Sequence, residues 1–382
     1  MREIPARMSA LLFTPASLRG LKLANRIVVS PMCQYSAVEG AATDWHLVHY
    51  GGLVLSGAGL VILEATHVEP RGRITRQCLG LYTDEHEESL ARIVAFARER
   101  TDAHIGIQLS HSGRKGSARL PWMDRGRALA ADEGAWTTMA PSAVPFAEGW
   151  PSPRAMDEED LSVTLDSHVQ AVRRAERAGF DLIEVHIAHG YLLHSFLSPL
   201  TNLRKDCYGG DRQGRMRYPL ETFEAMRAAW PANKPMGVRV TTRDWVEGGW
   251  EVDDAAAFAS ELAKRGCDYI AASSGGTSPA QSIPLTEGYQ TAFAQRLRQA
   301  SGLPTMAMGM IFDPRQAEAI LAHQEADFIA LARAMLHDPH WPWFAAATLG
   351  EDVTYPPQYI RGYRSSFLRE RRRLADGCNY GP

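Results

Sequence analysis

Cysteine is scarce in this sequence and never closely paired. Cys33, Cys78, Cys207, Cys267 and Cys378 are five in 382 residues, with no CxxC spacing. An odd, scattered set argues against a disulfide framework or a thiolate-held iron–sulfur cluster, and favours a reducing compartment such as the cytosol. Long apolar runs are missing too. No stretch reaches the roughly 18 apolar residues of a membrane span, and the basic start MREIPARMSALLF lacks an apolar signal core, so neither a membrane span nor secretion is expected. Charge of one sign is also absent. With 41 basic and 44 acidic residues the formal charge is -3, which gives the whole chain no attraction to nucleic acid or an anionic membrane.

What is present is an ordinary globular composition, 45% hydrophobic and 22% charged, at a length that suits two domains or one (β/α)₈ barrel. Element order decides between them. Eight short apolar, β-rich runs alternate with longer amphipathic ones: 26–32, 60–68, 104–111, 180–189, 236–242, 268–275, 304–310 and 327–333. The pattern at 84–100, with Asp84 as N-cap, and the pattern at 160–180, stopped by Gly179, predict helices; Gly266 repeats the stop signal. Near-continuous apolar strands separated by helices imply a parallel sheet covered on both faces, and eight of them favour closure into a single α/β TIM barrel. Residues 112–156, rich in Gly, Pro, Trp and Ser and without a clear period, read as a long loop excursion after strand three that covers the barrel mouth.

In such a barrel the active site lies at the C-terminal strand ends. Those ends carry Pro31, Met32 and Cys33; Ala65; Gln108; His186 and His189; Arg239; Ser274 and Gly275; Gly309; and Arg333. Gly309 and Arg333, after strands seven and eight, suit a phosphate, although they equally suit a turn and a surface ion pair. Gln108 and Arg239, expected on opposite sides of the barrel, suit a flat heterocycle that gains negative charge, such as a flavin. His186 and His189, three residues apart at one strand end, have three readings: metal ligands, core packing, or paired donors to a substrate oxygen. A metal site would need a third ligand and usually a supporting carboxylate; Glu184 and Asp181 are candidates, but no HExxH helix or Cys/His cluster accompanies them.

The motifs NRIVVSPMCQYS (25–36), EATHVEPRGRIT (64–75), IQLSHSGRK (107–115), HIAHGYLLHSFLSPLTNLRKDCYGG (186–210) and DFIALARAMLHDP (327–339) together closely resemble the Old Yellow Enzyme family of FMN-dependent ene reductases. Cysteine in PMCQYS followed by Tyr35 is similar to the bacterial xenobiotic-reductase subgroup. The resemblance covers residues 11–361 and implies an FMN-binding barrel over 1–361, followed by a C-terminal extension at 362–382. It implies FMN, with NADPH or NADH as reductant, and hydride transfer to the β-carbon of electron-poor alkenes: unsaturated ketones and aldehydes, maleimides, nitroalkenes. His186 and His189 match the donors to the substrate oxygen, and Tyr191 matches the acid that protonates the α-carbon. Cys33 and Tyr35 match residues beside the flavin and ligand. Pro31, Met32, Cys33, Ala65, Gln108, His186, Arg239, Gly309 and Arg333 match flavin-contacting positions. Lys115 resembles a basic residue near the site. Arg361 matches an arginine that reaches the neighbouring subunit's site, which implies a homodimer or homotetramer. No metal, nucleic acid or membrane is expected.

Three departures stand out: Ile187 where a smaller residue is expected, the extension with its basic run at 369–373, and the length of the 112–156 excursion. Other readings are a larger flavin barrel with an iron–sulfur cluster, a metal-dependent barrel lyase, and a non-catalytic flavin binder.

Overall fold

The computed structural model describes residues 9–363; Cys378 and the basic run at 369–373 lie outside them. Eight parallel strands close into a barrel: β1 (Ile27–Val29), β2 (Leu60–His67), β3 (His104–Ser110), β4 (Leu182–Ile187), β5 (Met236–Thr241), β6 (Ile270–Ser273), β7 (Thr305–Ala307) and β8 (Phe328–Leu331). Each pairs with its neighbours in chain order, and β8 closes on β1 through Ile329 opposite Ile27. All eight expected runs are strands. Each is shorter than its apolar run, because the last residues of a run leave the ladder and become the loops of the barrel mouth.

Alternation along the strands separates two cores. Val28, Leu60, Ile62, Leu182, Met306 and Phe328 fill the barrel interior, and the hairpin Ala16–Leu18/Leu21–Leu23 plugs its N-terminal end with Leu18 and Leu23. Ile27, Val29, Val61, Leu63, Ile105 and Ile107 face outward and pack under the helices. Burying each such side chain contributes about 1.5–3 kcal/mol. Ile187 belongs to this outer layer and is fully buried, so it does not narrow the site.

Of the surrounding helices, α1 (Asp44–Val54), α2 (Asp84–Arg100), α3 (Glu158–Arg177) and α4 (Leu192–Leu197) bear on the site. The N-cap of α2 is Thr83 rather than Asp84: its hydroxyl accepts the His86 N–H, and Asp84 lies inside the first turn, where its charge meets the helix dipole. Gly179 ends α3 in the left-handed region at φ +94°, as its position suggested. No helix among the described residues is long and apolar enough to cross a membrane.

The 112–156 excursion contains short helical turns and a two-residue parallel pair, Met139–Ala140 with Arg154–Ala155. Arg114 pins it across the mouth. Its buried guanidinium donates to the carbonyls of Val144 (3.2 Å), Pro145 (2.8 Å) and Thr277 (2.6 Å).

Candidate active site

β4 places Leu182, Glu184 and His186 inward at every second position, and the chain leaves the sheet after Ile187. His189 sits in the left-handed region (φ +59°), its N–H held by Thr241 Oγ1 at 2.8 Å. The next residue must be glycine: a Cβ on Gly190 would lie 2.5 Å from the Gly276 carbonyl oxygen. This turn folds the two histidines together, ring centroids 5.1 Å apart and His186 Nε2 3.3 Å from His189 Nδ1.

Their tautomers follow from the hydrogen bonds. The Ala188 N–H points at His186 Nδ1 (3.2 Å), so the proton of the neutral ring is on Nε2 and rests on His189. His189 Nε2 is in turn 2.7 Å from Ser273 Oγ. Burial, reinforced by the Arg239 guanidinium, holds both imidazoles well below the usual histidine range, so both are neutral donors at physiological pH.

Tyr191, the N-cap residue of α4, stands with its ring 5.0 Å from that of His186. Burial, and next the Cys33 sulfur, push its hydroxyl above the ordinary tyrosine range, so it keeps its proton. Lys115, from the excursion, lies 5.0 Å over this ring and donates to the carbonyls of His189 and Gly276, both at 2.8 Å. Burial, with a smaller contribution from Arg114, lowers its ammonium to about 7. Cys33 and Tyr35 come from the loop after β1, with Pro31 and Met32 half-buried beside them. Together with Tyr191 and Trp150 they pack against Ile74, Cys78 and Ala118. Burial and then Glu64 raise the Cys33 group well above the usual cysteine range, so it is a thiol.

Gln108 and Arg239 are not on opposite sides of the barrel. They sit on β3 and β5, the two neighbours of β4, and converge around Glu184. The buried Glu184 carboxyl accepts from Gln108 Nε2 (2.7 Å) and the Tyr269 hydroxyl (3.2 Å), which turns the Gln108 amide oxygen away from it. Arg239 donates to Met308 Sδ (3.3 Å), while its buried Nε has no protein partner. Such an orphaned guanidinium N–H suits a ligand acceptor. Ala65 follows a bulge in β2 and pairs with Gln108.

Adjoining His189, a cavity of about 250 Å³ is lined by Ser30, Arg239, Ser273, Tyr289, Gly309 and Arg333. Gly309 has φ +104°, and a Cβ there would lie 2.8 Å from Gln290 Nε2 and 2.9 Å from the Tyr289 ring. Arg333 is exposed at the rim. The buried Arg239 guanidinium, Gly309 and the Arg333 guanidinium at the rim thus border one cavity.

Ser273, Tyr269 and Glu64 were not among the candidates singled out for binding, and Glu184 was considered only as a carboxylate for a metal site. The period-2 rule along β4 already points Glu184 inward beside His186, so that signal was available. Arg361 is apart from the cluster. It is exposed on the four-residue helix Ile360–Tyr363, after a segment (352–357) that lies by Asn25 and Gly59 at the opposite end of the barrel. Among the described residues no group of three or more His, Cys, Asp or Glu is placed to hold a metal ion, and the side chain hydrogen-bonded to the outer ring of the histidine pair is a serine.

Comparison with known proteins gives a consistent result. The profile of the NADH:flavin oxidoreductase / NADH oxidase family matches residues 11–351. An NADPH dehydrogenase of Geobacillus thermodenitrificans is 40% identical over 359 residues, 94% of this chain and 100% of that protein. The structure of morphinone reductase in complex with tetrahydroNAD superposes with a TM-score of 0.73 at 28% identity, covering 91% of this chain and 93% of that one. A 2-naphthoyl-CoA reductase superposes at 0.81 with 21% identity, a likeness of fold alone. It covers 90% of this chain, which spans only 53% of that longer one.

Proposed function

Because the chain belongs to the NADH:flavin oxidoreductase / NADH oxidase family, the family of Old Yellow Enzyme, and is thus an FMN-dependent oxidoreductase with a nicotinamide reductant, we propose that it is an ene reductase. Its substrates are alkenes activated by a carbonyl or nitro group, taken in a ping-pong cycle. The observation that carries this reading is the pair of neutral imidazole donors facing a protonated tyrosine at the barrel mouth.

The residues fit the cofactor. Arg239, with its unpartnered Nε, and the Gln108 amide oxygen would hold the polar edge of the isoalloxazine, and Gly309 and Arg333 the phosphate. Bound FMN supplies a two-electron carrier that accepts a hydride from the nicotinamide and delivers it to the alkene β-carbon. The chain's own groups do the rest. The His186 Nε2–H that rests on His189, and the His189 N–H that rests on Ser273, are bonds a substrate oxygen can replace, and there they stabilise the negative charge that hydride addition pushes onto it. Tyr191 delivers its proton to the α-carbon. Cys33 and Tyr35 line the pocket, and Arg361 of a second subunit completes it in a dimer or tetramer. The complex of morphinone reductase with tetrahydroNAD supports a nicotinamide as the reductant.

The purified protein is expected to be yellow and to release one FMN per chain on denaturation, with Arg333→Ala weakening retention. A colourless protein that takes up no added FMN overturns the reading.

A further inference from the structure

Glu64 is a fully buried carboxyl that the proposed chemistry does not use. Leu63 pairs with Ile107 and Ala65 with Gln108, so Glu64 is the extra residue of a bulge. A bulge re-aims its side chain, and here the carboxyl points behind the loop that carries Cys33 and Tyr35. Oε2 accepts the backbone N–H of Gln34, the residue between them, at 2.8 Å. Oε1 accepts from the Tyr50 hydroxyl of α1 at 3.0 Å, and that oxygen in turn accepts the Glu64 N–H at 2.9 Å. His46, also of α1, takes the Thr43 N–H on Nδ1 at 3.0 Å. Its protonated Nε2 therefore faces Oε1, at 3.5 Å. No lysine or arginine of the described residues forms an ion pair with it.

We propose that Glu64 is a positioning residue of the site: acting through the Gln34 backbone, its carboxyl group anchors the Cys33–Tyr35 loop and, once ionised, sets the electrostatic field at the Cys33 sulfur. This deepens the ene-reductase reading, which assigns that loop to the ligand pocket. The titratable groups facing Glu64 are Tyr50 and His46 on α1, with His49 against Tyr50; Cys33 and Tyr35 on the loop; and Cys78 on the segment after β2. Burial raises the Glu64 carboxyl to about 8, and burial lowers His46 to about 4, leaving its ring neutral. Glu64 therefore gains its charge as pH rises through 8, and that charge opposes ionisation of Cys33.

The test is iodoacetamide alkylation of the protein as purified, followed at each cysteine by mass spectrometry from pH 6 to 10, with the exposed Cys207 as internal control. Glu64→Gln keeps an acceptor for the Gln34 N–H and removes the charge. It is expected to shift the Cys33 profile down by about one pH unit, a roughly tenfold faster reaction at pH 9, with Cys207 unchanged. Tyr50→Phe keeps the charge and should leave Cys33 within about twofold of wild type. An unshifted Glu64→Gln profile, or an equal shift in both variants, overturns the proposal. Should Glu64→Gln not fold, the wild type still decides: the logarithm of the Cys33 rate must rise with less than unit slope across pH 8, and unit slope throughout overturns it. Alkylation needs no flavin, so a chain that binds none would fail the reductase reading and leave this test standing.

Discussion

Tyr191→Phe protein is reduced by NADPH at the wild-type rate and is then reoxidised by a cyclic enone about 10²–10⁴-fold more slowly, the usual contribution of a positioned general acid. The asymmetry is the diagnostic part. Reduction requires no proton from Tyr191, whereas saturating the alkene requires one at the α-carbon. The tyrosine hydroxyl is held above its ordinary range by burial and the Cys33 sulfur, so it does not lose its own proton between pH 6 and 9. A pH dependence enters instead through Lys115, 5.0 Å over the ring and lowered to about 7. Below 7 its positive charge supports the phenolate left after proton transfer. Above 7 that support is lost, so the wild-type reoxidation rate falls as pH rises through neutrality. The slope should vanish in Tyr191→Phe. Equal reoxidation rates in wild type and variant would remove Tyr191 from the role of acid.

His186→Ala weakens binding of phenols to the oxidised enzyme and costs about 2.7–4 kcal/mol of transition-state stabilisation, a reoxidation rate roughly 10²–10³-fold lower. The imidazole has one proton, on Nε2, because Nδ1 is occupied by the Ala188 N–H. Removing the ring therefore removes a fixed donor and leaves His189 Nδ1 without its partner. Since burial and Arg239 keep both rings neutral, this donor role is flat from pH 6 to 9 in the wild type. Phenol titration by absorbance measures the first effect and stopped-flow reoxidation the second. Unchanged phenol affinity in His186→Ala would take this residue out of oxygen binding.

The barrel was legible because each strand buries both faces and so writes an uninterrupted apolar run, and because Gly179 and Gly266 mark helix ends that only a left-handed residue closes easily. The strand-end rule then brought Gln108, His186, His189 and Arg239 to one mouth. Their mutual arrangement was harder to read. Gln108 and Arg239 were expected across the barrel from each other, but register places them either side of β4, with Glu184 between. Register depends on pairing between strands far apart in sequence, which periodicity within one strand does not encode. Ile187 shows the same limit: whether it faces the site or the helices depends on where β4 ends, and it packs outward. Glu64 escaped notice because a bulge, invisible in the apolar pattern, decides which way it points. The 112–156 excursion had no period to read; the IQLSHSGRK motif placed Lys115 near the site, but that Arg114 and Lys115 tie the excursion to the mouth through backbone carbonyls is visible only in the fold.

The measurement that tests the central claim most directly is an anaerobic titration of the purified enzyme, first with NADPH and then with cyclohexenone, followed by visible absorbance. The account predicts that the oxidised-flavin bands bleach with one equivalent of NADPH and return with one equivalent of enone, yielding cyclohexanone. Bands that bleach and stay bleached in excess enone, recovering only when oxygen is admitted, would contradict it.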